Sequence, residues 1–547
     1  MLLLFVVAVF LSWMLARRVS FVRALGVRVA SWLDAPRGAP LAVALATIVI
    51  LTAGWGSWRQ PPVAHDEASY LFQAKLFANA QWTADPPPLP AFFEQYHVFV
   101  TPRYASKYPP GHALLLVPGI WLGVPGLMPV LLSAIAAALI FAIARRLTNG
   151  VIAFWTWCWW IATPFVLWAL GSYFSQSTSI FAWMLGWYAL LRWRDGGERW
   201  LLLVAGCVAW LGFTRPLTAL AYALPVGCCV MWRVAHTRRF ASLGRAIALG
   251  AAMLLLIPLW SAKTVGTVRE TPYALYSRMY FPWDAPGFGL DSSPPLRALP
   301  PDMQAFARER RADHVAYRPS ALPRVLVRRA RNVAKNMWPP PRLMVLGLAV
   351  VGLTAMTSEI AFGLASMLGL LLAYLWFDHP AGWVIYYIEP QPVFALLAAL
   401  GLWRGLHALA RAPARPSGPG AATPIVAGMS LCLTLFAAYF VTVAIAGVRD
   451  RDREAKRYER DFLLAIGELP ARRAIVFVRY KPDHDPHLSL LYNEPDLENA
   501  SRWIVYDRGA ENWRLMRAAP DRQAFLFDEA RDKFYPVPPA PDSLARQ

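Results

Sequence analysis

Charged residues are scarce in this chain, and acidic residues are the scarcer kind. Only 16% of the 547 residues are charged, with 34 Asp and Glu against 54 Lys and Arg, whereas 57% are hydrophobic. A soluble domain carries roughly a quarter charged residues. The low charge content therefore argues against an ordinary soluble protein.

Cysteine is also rare, and no cysteine lies in a polar loop. The five cysteines all fall inside apolar runs: Cys158, Cys207, Cys228, Cys229 and Cys432. Their positions exclude a disulfide framework and the paired spacing of a zinc site.

The first apolar run, residues 1–16, has no charged segment before it and no small-residue cleavage site after it. It is therefore predicted to be a retained anchor rather than a cleaved signal peptide.

Long apolar runs are abundant. A helix of roughly 20 residues crosses a hydrocarbon core of ~30 Å, and lipid offers no partner for an unpaired backbone group. Windows of this length predict about twelve transmembrane helices. They centre on residues 2–15, 40–55, 127–143, 151–169, 174–191, 200–213, 217–232, 246–260, 343–356, 360–377, 393–409 and 425–448.

Arginine is concentrated in the short loops between alternate spans, and this orients the chain. Positive residues in short loops mark the cytoplasmic side. These loops are 17–37, 145–150, 192–199, 233–245 and 404–416. Alternation then places loops 59–126, 171–173, 263–342 and 378–392 outside. Topology thus explains the net charge of +20, so nucleic acid is not a predicted partner.

The last hundred residues are less hydrophobic and change in pattern. Residues 473–480 and 502–507 resemble buried strands, residues 511–516 a short helix, and residues 523–530 another strand. This alternation predicts a small α/β domain over residues 449–547, on the outer side of the membrane. The multi-span domain would then cover residues 1–448, with outer loops 59–126 and 263–342 carrying the catalytic residues.

The first outer loop opens on an acidic motif directly after the second span, His65-Asp66-Glu67. A carboxylate pair at a membrane surface is costly to desolvate, so such a pair is either solvated or functional. In the simpler interpretation, both acids occupy the first turn of an amphipathic helix over residues 68–78, where the helix dipole favours them.

The same loop ends on Lys107 followed by Pro109, Pro110 and Gly111. Two prolines hold the chain extended before a helix begins. A cation beside a helix N-terminus suits a phosphate. The alternative is a lysine whose apolar stem lies along the lipid while its amine reaches water.

Together these motifs resemble the GT-C superfamily of membrane glycosyltransferases, and within it the bacterial branch related to protein O-mannosyltransferases and the lipid A aminoarabinose transferase. The matching residues are Asp66-Glu67 and Lys107-Tyr108-Pro109-Pro110. Two further matches are "ARRL" at residues 144–147 and "TRP" at residues 214–216. The resemblance covers about residues 40–409. Relatives often carry a second acid where this chain has Gln176.

The resemblance implies a fold class and a reaction. The fold would be an all-α polytopic membrane protein with about 12 transmembrane helices, to which the small C-terminal α/β domain is added. The reaction would be hexosyl or pentosyl transfer from a polyprenyl phosphate donor, on the periplasmic face of a bacterial inner membrane. Asp66 would be the general base with Glu67 beside it, and Lys107 and Arg103 would bind the donor phosphate. The acceptor is not predicted, no cofactor is assigned, and a divalent metal is left open.

Other polar and aromatic residues of the outer loops are predicted to line the substrate cavity. They are His65, Tyr108, Tyr276, Tyr280 and Asp284, with His379, Tyr387 and Glu389 from the loop 378–392. Tyrosine rings offer faces on which a sugar can stack. Alternatively, the aromatic residues pack at the membrane interface.

A basic amphipathic stretch covers residues 323–338 and could meet lipid phosphates, or it is an interface helix without a ligand.

Two rival functions remain open on the sequence alone. A transporter or flippase of lipid-linked sugars would show broken spans in matched halves and ionisable groups at mid-membrane. A membrane scaffold would have no use for an acidic pair beside a basic cavity.

Overall fold

The computed structural model describes residues 7, 10, 14, 20–290, 292–339, 341–409 and 424–538. The chain divides into two compact units. Unit 1 comprises Met1–Trp58, Gly126–Leu254 and Ser320–Asp450, and unit 2 comprises Arg59–Pro125, Leu255–Pro319 and Arg451–Gln547. The predicted first span, residues 2–15, lies almost wholly outside the described residues.

Unit 1 is built from helices. They are Ser20–Asp34, Gly38–Trp55, Leu127–Leu147, Gly150–Ile161, Pro164–Leu170, Gln176–Arg194, Arg199–Gly212, Pro216–Thr237, Phe240–Leu254, Leu322–Asn336, Arg342–Gly352, Ser358–Ala373 and Gln391–Leu409. The long helix Pro424–Gly467 contributes its first part to this unit.

Six described helical segments are long and apolar enough to cross a membrane, and a bent pair makes a seventh candidate. These helices expose many large apolar side chains, and contact of so many with water would be energetically unfavourable. On the helix Gly38–Trp55, Leu41, Leu45 and Val49 recur at four-residue spacing, and each is more than half exposed. A stripe of this kind requires lipid around it. The described chain therefore has the helices of a multi-pass membrane protein.

Eleven of the twelve predicted spans coincide with a helix, but the count of twelve is not confirmed. Six coincide with the six segments that are long and apolar enough to span, two lie in shorter apolar helices, and two lie in the 19-residue helices Gln176–Arg194 and Gln391–Leu409. The run 151–169 is broken into Gly150–Ile161 and Pro164–Leu170, which are bent by 74°. Pro164 has no backbone N–H to donate, and Thr163 before it is extended, so one helix ends and another begins there.

Unit 2 combines short helices with two small sheets. Its helices are His65–Ala78, Gly111–Trp121, Leu256–Val265, Pro272–Tyr280, Pro301–Ala316 and Asn512–Ala518, together with the end of Pro424–Gly467. Strands β1 (Val98–Phe99) and β2 (Ala105–Ser106) form an antiparallel hairpin. The second sheet has the order β4-β3-β5-β6, with β3 (Ala474–Arg479) parallel to β4 (Arg502–Tyr506) and to β5 (Gln523–Asp528), and with β6 (Lys533–Pro536) antiparallel to β5.

The C-terminal strands and helix occur where the sequence predicts them, but they share a core with the first outer loop. Phe72 and Phe92 of that loop belong to the same buried cluster as Ile475, Phe477 and Trp503 of the sheet. The rings of Phe93 and Trp503 meet edge to face at 5.4 Å. In the structure the last hundred residues thus fold together with residues 59–125 in one unit.

Candidate active site

Asp66 lies in the first turn of the helix His65–Ala78, hereafter the Asp66 helix. Tyr108 donates a hydrogen bond to Oδ1 of Asp66. The other oxygen, Oδ2, lies 3.9 Å from Nε2 of His97, beyond hydrogen-bond distance. Because the Asp66 side chain is 42% exposed, this carboxylate is held at one oxygen and open to an incoming group at the other.

Lys107 lies buried beside this carboxylate, within a cage of three tyrosines. Its Nζ is 5.3, 4.5 and 4.9 Å from the ring centres of Tyr108, Tyr273 and Tyr276. The same atom lies 4.0 Å from Oδ2 of Asp284, and the residue is 1% exposed. Ring faces attract a cation within about 6 Å of the centre. The cage therefore holds the ammonium group almost entirely out of contact with bulk water.

Burial lowers the pKa of Lys107, and the negative charges of Asp284 and Asp66 oppose that effect. Burial also lowers the pKa of His97 well below its ordinary value, and the charge of Lys107 adds to the effect. His97 is therefore neutral at neutral pH. The pKa of Tyr108 is raised by burial and then by the charge of Asp66, so its hydroxyl stays a donor.

The hairpin β1–β2 brings these residues together. His97 precedes β1 and Lys107 follows β2, and the N–H of Lys107 donates to the carbonyl of His97 at 3.0 Å. Two prolines follow, and the helix Gly111–Trp121 begins directly after Pro110. Lys107 thus lies four residues before the first residue of that helix.

One face of the Asp66 helix packs on this hairpin. Ser69 Oγ lies 2.8 Å from Ser106 Oγ and 2.9 Å from the carbonyl oxygen of His97. Gln73 Nε2 donates to the carbonyl of Tyr108 at 2.9 Å. Asp66, Ser69 and Gln73 stand at spacings of three and four, which places them on one helix face. This polar face is a sequence signal for the hairpin contact.

The second outer loop supplies Tyr276 and Asp284 to the same place. The N–H of His97 donates to the hydroxyl oxygen of Tyr276 at 2.8 Å. Asp284 lies between two nitrogen groups, Lys107 Nζ and His314 Nε2, each at 4.0 Å. Tyr108, Tyr276 and Asp284, all predicted cavity residues, therefore lie around Lys107.

Tyr280 belongs to a neighbouring ion pair that joins the two loops. Its ring stacks on Tyr276 at 4.3 Å, and its hydroxyl donates to Glu94 Oε2 at 2.7 Å. Arg297 Nε donates to Glu94 Oε1 at 2.7 Å, and its Nη1 donates to Thr101 at 2.7 Å. Burial raises the pKa of Glu94, and the charge of Arg297 opposes this shift. These contacts connect loop 59–126 to loop 263–342, and Tyr280 packs against the ring of Tyr276.

Arg103 lies elsewhere. It donates to Asp85 at 2.9 Å, with side chains 52% and 92% exposed, respectively. None of its described contacts reaches Asp66 or Lys107. Its role as a phosphate ligand stays a prediction, and its exposed ion pair gives that role no support.

His65 and Glu67 flank Asp66 but face other residues. His65 stacks on Tyr96 at 3.9 Å, and its Nε2 donates to the carbonyl of Pro486 at 2.9 Å. Burial lowers the pKa of His65 to about 4, so the imidazole is neutral. It anchors the start of the helix to the loop after β3.

Glu67 is buried and lies in the electrostatic range of Glu459, on the helix Pro424–Gly467. Burial raises the pKa of Glu459 to about 9, and the charge of Glu67 adds to the shift. Since consecutive helical residues point about 100° apart, Glu67 and Asp66 have different neighbours. The sequence does not reveal Glu459, because nearly 400 residues separate it from the motif.

The remaining predicted cavity residues form a polar cluster within unit 1. Glu389 is fully buried, accepts from Ser179 at 2.6 Å, and lies 3.5 Å from Nε of Arg215. His379 Nε2 lies 2.9 Å from the hydroxyl of Tyr387. The cluster adds Arg215, from the "TRP" motif, to the predicted residues. That these residues line the same cavity as Asp66 stays a prediction.

Gln176 is the residue at which the sequence resemblance led us to expect an acid. It is buried, and its Nε2 lies 3.3 Å from the carbonyl oxygen of Ile385. Across the described ranges, no group of three or more His, Cys, Asp or Glu residues is arranged to hold a metal ion.

No protein-family model matches the chain, and no curated protein matches it. Among solved structures, it is similar to two crystal structures of ArnT from Cupriavidus metallidurans. The apo structure has a TM-score of 0.49 at 16% identity, covering 93% of this chain and 93% of ArnT. The structure bound to undecaprenyl phosphate has a TM-score of 0.45 at 14% identity, covering 89% of this chain and 92% of ArnT.

Proposed function

We propose that this protein is a membrane glycosyltransferase of the GT-C type that transfers one sugar from a polyprenyl phosphate donor to an acceptor hydroxyl. One observation carries the proposal. A partly exposed carboxylate, Asp66, accepts a hydrogen bond from Tyr108, and a buried cation, Lys107, lies over the ring of the same tyrosine. Transfer of a sugar from a phosphate is accelerated by a proton acceptor for the attacking hydroxyl and by a cation for the leaving phosphate, and Asp66 and Lys107 could supply these two groups.

In this reaction the acceptor oxygen forms a bond to the anomeric carbon of the donor. The bond between that carbon and the phosphate oxygen breaks, and its electron pair leaves with the phosphate. The acceptor proton passes to Oδ2 of Asp66, the oxygen that does not accept from Tyr108. Lys107 offsets the negative charge that develops on the leaving phosphate.

The other residues of the site act through these two. Tyr108 holds one oxygen of Asp66 and also lies under Lys107. Tyr276 and Asp284 complete the surroundings of Lys107, and the backbone of His97 fixes Tyr276. Because His97 is neutral, it does not form an ion pair with Asp66, and that carboxylate stays available to take the acceptor proton. Glu67 lies outside this set, so we assign it to the support of the helix.

The setting of the reaction is proposed from the charge distribution. The short arginine-rich loops predict that loops 59–126 and 263–342 face away from the cytoplasm. We therefore propose that transfer occurs on the periplasmic face of a bacterial inner membrane. A polyprenyl tail would stay in the bilayer while its phosphate reaches Lys107. Hexosyl and pentosyl donors both remain candidates.

Transfer by purified protein tests this function. The protein is reconstituted in nanodiscs and offered a panel of radiolabelled hexosyl and pentosyl polyprenyl phosphates, with extracted membrane lipids and glycans as acceptors. We expect one donor to lose its label to an acceptor. The Asp66→Asn variant, prepared in the same way, is the background. If no donor is consumed above that background, the proposal is wrong.

A further inference from the structure

The helix Leu322–Asn336, hereafter the basic helix, carries four cations on one exposed face. Arg324, Arg328, Arg331 and Lys335 follow one another at spacings of four, three and four, and all are exposed. Such spacing places side chains on one side of a helix. Among the described ion pairs, none involves these four residues. They form a stripe of positive charge without a described acidic partner.

The opposite face of the basic helix holds it to the protein. Arg329 and Val333 are buried, at 1% and 4% exposure. Arg329 Nη2 donates to the carbonyl of Phe377 at 3.0 Å and lies 3.7 Å from Oδ1 of Asp378. A buried arginine thus fixes the helix to the turn that follows the helix Ser358–Ala373. Because Arg329 anchors the helix, the stripe of four cations faces away from the protein in a fixed orientation.

Between the stripe and the buried face lies an apolar flank. Val327, Ala330 and Ala334 recur at spacings of three and four, and Val327 is 68% exposed. The segment that Arg329 holds also exposes large aromatic rings, since Trp376 and Trp383 are about half exposed. Tryptophan favours the boundary between lipid and water.

We propose that the basic helix is a docking surface for anionic phospholipid head groups of the surrounding bilayer. The apolar flank enters the boundary of the acyl chains, and the stripe meets the phosphates beside it. Cations near such a surface each gain about 1 kcal/mol from anionic lipid. Charge complementarity and an adjacent apolar flank point to a lipid surface. This inference does not depend on the transfer reaction.

Lipid selection by the intact protein tests the proposal. Full-length protein is equilibrated with micelles containing equal amounts of phosphatidylcholine and phosphatidylglycerol, and retained lipids are quantified by mass spectrometry. We expect the parent protein to enrich phosphatidylglycerol. The variant Arg324→Gln/Arg328→Gln/Arg331→Gln should lose at least about fivefold of that enrichment, the factor for one lost contact.

A matched control removes three exposed arginines elsewhere, Arg308→Gln/Arg472→Gln/Arg514→Gln, and should keep the enrichment.

Salt at about 1 M shortens the screening length to roughly 3 Å and should abolish the enrichment in the parent protein. If the triple variant fails to fold, Arg324→Gln alone should still lose about fivefold of the enrichment, the factor for one lost contact. Unchanged enrichment in the stripe variant, or in high salt, overturns the proposal, as does an equal loss in the control. Full displacement by inorganic phosphate at constant ionic strength would instead mark a site for a soluble phosphate ligand and would also overturn it.

Discussion

Tyr108 donates a hydrogen bond to Asp66 across 42 residues of sequence, and the ring of the same tyrosine lies 5.3 Å from the ammonium of Lys107. One side chain thus joins the proposed base to the proposed phosphate ligand. Because the hydroxyl holds only Oδ1, the second oxygen of Asp66 stays available for a proton.

Replacing Lys107 by Met should weaken donor binding. Met keeps the apolar stem within the tyrosine cage and removes the charge that the phosphate would meet. Loss of a hydrogen bond to a charged group costs about 1.5–3 kcal/mol, so the apparent KM for the lipid-linked sugar should rise roughly tenfold to a hundredfold. The KM for the acceptor should change little.

Lys75→Met is the matched control, because Lys75 is more exposed and pairs with Glu494. Arg103→Met tests the second predicted phosphate ligand, and its exposed ion pair leads us to expect a smaller change than at Lys107. If Lys107→Met binds donor as tightly as the parent, Lys107 is only an anchor of the loop.

Donor binding should also depend on pH through Lys107. Burial lowers the pKa of this amine from its ordinary value of 10.5. The cation is present below the lowered pKa and is lost as pH rises through it, so affinity should fall at a lower pH than for an exposed lysine. Donor Kd measured across alkaline pH checks this. In Lys107→Arg the fall should disappear, because a guanidinium stays charged.

Glu459→Gln should stabilise the protein at pH 8 and have less effect at pH 5. The pKa of Glu459 is raised to about 9 from an ordinary value of 4.5, so the folded state binds more protons than the unfolded state between these values. Stability that depends on this carboxyl is therefore present at low pH and lost as pH rises towards 9. Gln mimics the protonated acid and does not ionise.

Thermal unfolding at the two pH values measures this effect. Glu468→Gln, at an exposed position of the same segment, is the control and should leave Tm unchanged at both values. An equal change in Tm at pH 5 and pH 8 for Glu459→Gln would show that the carboxyl does not titrate as the buried environment requires.

Much of the secondary structure follows from sequence patterns, because apolar period and turn residues act locally. Strands β3, β4 and β5 lie where short apolar runs predict them. The interrupted span at Pro164 shows where hydropathy alone misleads, since a window average does not register one missing backbone donor. The shared core of Phe92 and Phe477 depends on tertiary packing, which no local pattern reports.

In the candidate site, too, some residues could be predicted from local sequence and others depend on tertiary packing. Asp66, Lys107 and Tyr108 could be chosen from one loop because a carboxylate and a cation near a membrane surface are unusual. The positions of His97 and Tyr276 depend on the hairpin register and on a distant loop. The sequence did not single out Glu459 and Arg215 as site residues, because a charged residue inside a helix or directly before one usually faces solvent. Only tertiary structure shows that Glu459 is buried near Glu67 and that the mostly buried side chain of Arg215 lies beside Glu389.

The central claim is that Asp66 is the general base, and it is tested most directly by measuring both sugar transfer and donor binding in the Asp66→Asn variant. The amide keeps the shape of the side chain but does not take a proton, so single-turnover transfer from radiolabelled donor should fall by about 10²–10⁴-fold. The Kd for donor should stay within about twofold of the parent value, and Asp85→Asn, at an exposed carboxylate of the same loop, should transfer normally. Transfer by Asp66→Asn at close to the parent rate would contradict the account, because Asp66 would then not be the base.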